Sequence, residues 1–99
     1  MHPANTVVVV FVQEGCEACE AFKPLLEKIA AKFQGHVPLL VYDANDKRRE
    51  VQALADRLGV HATPSTYVMR RGPGEPIGVE GALGEPELEY MFNLARHYA

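Results

Sequence analysis

The only two cysteines of this 99-residue chain stand three positions apart, Cys16 and Cys19, in the stretch GCEACE. Two thiols at that spacing can exchange electrons as a dithiol–disulfide pair, supply two ligands to a soft metal, or fill core space as small hydrophobes. Redox work needs both sulfurs within bonding reach and one of them ionised, because the thiolate is the attacking species. A metal or cluster needs about four ligands, and one CxxC supplies two. His2, His36, His61 and His97 are scattered, with no second CxxC and no HxxxH spacing among them. Of the four, His61 is the one a fold could bring toward the cysteines.

The elements that must position these sulfurs read clearly. VVVVFV (7–12) is continuous and β-branched, the pattern of a strand buried on both faces. After the cysteines, Phe22, Leu25, Leu26, Ile29, Ala30 and Phe33 recur at helical spacing, with Lys23, Lys28 and Lys32 turned outward and Gly35 as terminator. Cys16 therefore falls just past the end of a strand and opens a helix. There, unpaired backbone N–H groups and the positive end of the helix dipole lower a thiol's pKa. Cys19, one turn on, can fold back to meet it. Glu14, Glu17 and Glu20 surround the pair and oppose the dipole, which disfavours the thiolate and points to a reductant; as solvated helix-start residues they would do little.

Downstream, PLLVY (38–42) reads as a second buried strand, and Asp43 to Asp46 offers N-caps for a helix carrying Val51, Leu54, Ala55 and Leu58 before Gly59. STYVM (65–69) and PIGVEG (76–81) form a hairpin across the breaker-rich RRGPGEP (70–76), and Pro86 opens a last helix with Leu88, Met91, Phe92 and Ala95 on one face. The order β-α-β-α-β-β-α implies an α/β domain: a parallel pair joined by a crossover, extended by two antiparallel strands into a four-stranded mixed sheet with helices on both faces. Residues 1–99 make one domain, with no repeat, linker or low-complexity segment.

Bulk properties exclude other classes. Lys+Arg 10 against Asp+Glu 13 gives a net charge of −3, which argues against electrostatic binding of nucleic acid. The longest apolar run, Val7 to Val12, is too short to span a bilayer. The start MHPANT has no basic region before an apolar segment, so no secretory signal is expected and the reducing cytoplasm is the expected compartment. Lys47-Arg48-Arg49 reads as a solvated helix face, and the glycines from 72 to 84 lack the Lys-Ser/Thr of a phosphate loop.

The stretches VVVVFVQEGCEACEAFKP, VYDAND, GVHATPSTYVMRRG and VEGALGEPEL together resemble the thioredoxin superfamily over nearly the whole chain. The resemblance rests on the strand-then-CxxC junction, on Pro24 five residues after the second cysteine, on Thr63-Pro64 where the family has its cis-proline, and on Gly81-Ala82 where it keeps the substrate groove open. A first strand and helix found in full thioredoxins have no counterpart, so a minimal, glutaredoxin-sized thioredoxin-like fold is implied.

That resemblance implies a thiol–disulfide oxidoreductase reducing protein disulfides, with Cys16 as nucleophile and Cys19 as resolving thiol. Gly15, Glu17, Ala18, Thr63, Pro64 and Gly81 would line the substrate site, with backbone groups of Thr63 bonding an extended peptide and Pro64 keeping metals away. No cofactor is implied beyond the Cys16–Cys19 disulfide itself, and no metal. The expected partners are protein disulfides and an electron donor, either thioredoxin reductase or the glutathione system; the protein is expected to be a monomer without nucleic-acid or membrane partners. Three departures stand out: Gly15 replaces the usual tryptophan, Glu17-Ala18 the usual Gly-Pro, and Val10 a buried carboxylate that handles the proton of the resolving thiol. The alternatives are a thioredoxin-like binding module without turnover and a metal or cluster carrier using the CxxC.

Overall fold

The computed structural model describes residues 6–70 and 74–97. Strand β1 (Thr6–Val12) is central, and its β-branched run suits that place because both of its faces are covered. Alternation sends Val8, Val10 and Val12 to one face and Val9 and Phe11 to the other. Helix α1 (Glu17–Lys32) covers the first face with Cys19, Phe22, Leu26 and Ile29. Each large side chain buried there contributes about 1.5–3 kcal/mol. Strand β2 (Leu39–Asp43) returns parallel to β1, with Val8 beside Leu39 and Val12 beside Asp43. Helix α2 (Arg49–Leu58) covers the second face through Val51 and Leu58 and ends on Gly59 in the left-handed region at φ 69°.

Strand β3 (Ser65–Arg70) pairs antiparallel with the other side of β1, and strand β4 (Ile77–Glu80) pairs antiparallel with β3. Helix α3 (Glu85–His97) then lies beside α1 on the first face, burying Leu88, Met91, Phe92 and Ala95. The sheet order is β2-β1-β3-β4, a mixed α/β sheet with two helices on one face and one on the other.

Several sequence expectations are corrected. PLLVY is not a buried strand but an edge strand, paired on one side only, and Leu40 and Val41 keep 43% and 48% of their surface exposed. The aspartates do not cap α2. Its N-cap is Arg48, without a side-chain bond; Asp43 and Asp46 accept the backbone N–H groups of Asn45 and Arg48 at 2.7 and 2.9 Å, closing the turn before the helix. Helix α1 ends at Lys32, three residues ahead of Gly35, and Pro86 is the second residue of α3 rather than its first. Arg71 to Pro73 of the hairpin turn, and His2 with the MHPAN start, lie outside the described residues.

Candidate functional site

The strand-to-helix junction presents the cysteines. Gly15, at φ 81°, takes a left-handed conformation that a side chain would strain, and it reverses the chain between β1 and α1. Cys16 is the N-cap residue: its N–H donates to the Gln13 carbonyl at 3.2 Å, and its Sγ accepts the N–H of Cys19 at 3.2 Å, in the position a serine or aspartate oxygen fills at other helices. Both cysteines are free thiols, Cys16 half-buried and Cys19 fully buried among Val10, Val12 and Phe22.

This asymmetry separates their chemistry. The Cys16 pKa is lowered, first by a hydrogen bond from the Cys19 side chain, then by the Cys19 N–H and the Thr63 hydroxyl, against some desolvation. The Cys19 pKa is raised, first by burial and then by its bond to Cys16. The expected opposition from the acids does not prevail. Glu14, Glu17 and Glu20 are all exposed, and Glu20 is held to Lys23 at 3.1 Å, so donors aimed at the sulfur outweigh solvent-screened charges.

A second loop closes over the sulfurs. The Thr63–Pro64 peptide is cis, Pro64 is buried, and the Cys16 thiol donates to the Thr63 carbonyl at 3.6 Å. Ser65 donates its hydroxyl to the Ala62 carbonyl at 2.7 Å, tying this loop to the start of β3. From the far side, the Gly81 N–H donates to the Pro64 carbonyl at 2.8 Å, and Gly81 has φ 93°. The structure thus brings Cys16, Cys19, Thr63, Pro64 and Gly81 together, with Gly15, Glu17 and Ala18 exposed on the rim. Val10 is fully buried in the apolar layer beneath. His61 is exposed, and among the described residues no group of three His, Cys, Asp or Glu side chains could hold a metal ion.

Sequence reasoning missed Gln13 and Thr66. Gln13 joins the two loops: its carbonyl takes the Cys16 N–H, and its side-chain oxygen lies 3.5 Å from the Thr63 hydroxyl. Its place at the strand end was the available signal. The Thr66 hydroxyl is buried with no hydrogen-bond partner among the described residues, and Thr66 sits directly across from Val10 in the β1–β3 register. Only the register could reveal that juxtaposition.

With this geometry in view, the comparisons with known proteins are consistent. Residues 1–93 match the thioredoxin family, and the chain belongs to it. It is 25% identical over 100 residues to human protein disulfide-isomerase A4, matching all of this chain but only 15% of that much longer protein. Among solved structures it superposes on a chloroplastic thioredoxin z with a TM-score of 0.74 at 19% identity, covering 95% of this chain and 80% of that one. It superposes on Fasciola hepatica thioredoxin with a TM-score of 0.74 at 20% identity, covering 93% and 82%. Those structures establish the minimal thioredoxin-like fold. Family membership and the disulfide-isomerase relative support a function of the thiol–disulfide oxidoreductase type. No helix among the described residues is long and apolar enough to cross a membrane.

Proposed function

We propose that the protein reduces protein disulfides with the Cys16–Cys19 dithiol, working in a reducing compartment such as the cytoplasm. One observation carries this reading: Cys16 caps α1 with its sulfur, accepting the Cys19 N–H at 3.2 Å, while Cys19 is buried directly behind it. The Cys16 thiolate attacks one sulfur of a substrate disulfide, forms a mixed disulfide and releases the other substrate sulfur as a thiolate. Cys19 then loses its proton and attacks Cys16 Sγ, closing the Cys16–Cys19 disulfide and releasing the second substrate thiolate. Two electrons have passed to the substrate, whose two released thiolates take up the Cys19 proton and protons from solvent. An external dithiol or glutathione-type donor must return the electrons before the next turnover. The chain needs no bound cofactor for this exchange.

The test is reduction of insulin disulfides by catalytic amounts of the protein with dithiothreitol as the terminal reductant. Many turnovers per protein molecule are expected, and none from Cys16→Ser. The Cys16–Cys19 couple should have a potential near that of thioredoxin, about −270 mV, whereas a value above about −180 mV would mark an oxidant or isomerase. Absence of turnover by protein shown to be fully reduced would overturn the proposal in favour of a binding module.

A further inference from the structure

On the same face of the sheet as the sulfurs lies an apolar cleft that the redox chemistry leaves unused. It has a volume of about 430 Å³ and runs between β4 and α3, lined by Ile77, Val79, Leu83, Pro86, Glu87, Tyr90 and Met91. Two of the four large apolar side chains exposed among the described residues are here, Val79 at 37% and Tyr90 at 64%. The other two, Leu40 and Val41, stand on the opposite edge of the sheet. Cleft and sulfurs share one apolar layer: Leu83 and Ile77 pack against the same apolar cluster as Cys16. The Gly81–Pro64 hydrogen bond fixes the end of β4 to the loop over the thiols.

We propose that this cleft binds a bulky apolar side chain of the polypeptide whose disulfide is being reduced, so that the substrate class is an extended, neutral or basic chain with a leucine- or phenylalanine-sized residue two to four positions from its reactive cysteine. The inference rests on the reductase reading above. Its spacing follows from the register. Val79 pairs with Thr66, two residues beyond Pro64, so it lies about 7 Å along the strand and one strand spacing of about 4.8 Å across, about 8 Å from the proline loop; an extended peptide covers that in two to three residues, and the step on to Cys16 Sγ adds up to one more. The charge follows from the rim: Glu87 is the one charged side chain in the cleft, and Glu14 and Glu17 stand exposed near Cys16, so an acidic chain is repelled. Tyr90 and Val79 gain burial only when the cleft is filled, which is the arrangement of an anchor pocket rather than of a packed core.

The test uses cysteine peptides activated as mixed disulfides with a chromophoric aromatic thiol, identical except for leucine or serine three positions from the cysteine. Rates of thiol release are read for the reduced protein, for Tyr90→Ser and for Val79→Thr, both changes at exposed positions that the fold does not depend on. Wild type should favour the leucine peptide by about tenfold in kcat/KM, the scale of burying most of one leucine side chain. That ratio should fall below about threefold in either variant. A ratio near one in wild type, or a ratio that survives both substitutions, overturns the inference while leaving the reductase reading intact. Failure of the wild type to react even with the aromatic disulfide alone overturns both. If the cleft is covered by a second copy of the chain, Tyr90→Ser will change the sedimentation coefficient without changing the peptide ratio, and this too overturns it.

Discussion

Replacing Val10 by aspartate places a carboxyl in the buried layer under Cys19, and the structure sets both its cost and its partner. Val10 is fully buried between β2 and β3, so the change forfeits the burial of a valine and desolvates a carboxyl. Together these cost about 3–5 kcal/mol, because a buried polar group without a hydrogen bond costs about 1–3 kcal/mol and a buried valine contributes a similar amount. The unpartnered Thr66 hydroxyl, directly across the β1–β3 pair, can return about 1 kcal/mol by donating to the new carboxyl.

Burial raises the folded-state pKa of the introduced group above the unfolded value of about 3.9. Its penalty is therefore smallest below that value and grows by about 1.4 kcal/mol per pH unit until the folded pKa is passed. Urea denaturation from pH 4 to pH 8 should show the variant losing stability relative to wild type as pH rises. Thr66→Val should cost about 1 kcal/mol more in the Val10→Asp background than in wild type, where it removes an unsatisfied hydroxyl and is neutral or stabilising. Single-turnover resolution of a preformed mixed disulfide should be faster in the variant below about pH 8, where Cys19, whose pKa burial raises, must first give up its proton. A penalty independent of pH, together with pH–rate profiles identical to wild type, would refute the reasoning and show that position 10 takes no part in proton handling.

Alkylation of the fully reduced protein with limiting iodoacetamide should label Cys16 before Cys19, and both rates should rise with pH, that of Cys16 through a lower midpoint, because its pKa is lowered while that of Cys19 is raised. Faster labelling of Cys19, detected by peptide mass spectrometry, would reverse the assigned roles; in agreement with them, Cys19→Ser should accumulate mixed disulfides with protein substrates. Gly78→Ala should destabilise the fold by about 1–3 kcal/mol, since the added methyl would lie 2.5 Å from the ring of buried Tyr67, itself edge-on to Phe11. An unchanged urea midpoint would show that the ring can yield.

Much of the fold was legible in the sequence because its signals are local. The β-branched run at 7–12, the helical spacing after the cysteines, and the terminator Gly59 follow from backbone sterics and side-chain periodicity that neighbouring residues alone set up. The cysteine pair at a strand-to-helix junction was equally local, as was the cap position of Cys16 at the start of the helix. Other features depend on pairings far apart in the chain. PLLVY looks buried by composition, yet the sheet order leaves it at an edge, because one side of a strand is covered only if another strand arrives there. The acids near the thiols suggested a suppressed thiolate, but hydrogen bonds to the sulfur from Cys19 and from the hydroxyl of Thr63, far along the chain, lower the Cys16 pKa. The hydroxyl of Thr66 opposite Val10, the tie from Gly81 to Pro64 and the cleft between β4 and α3 all arise from long-range contacts. Local sequence determines which residues can do chemistry here; the tertiary register decides what they face, since register is set by the sum of pairings across the whole sheet.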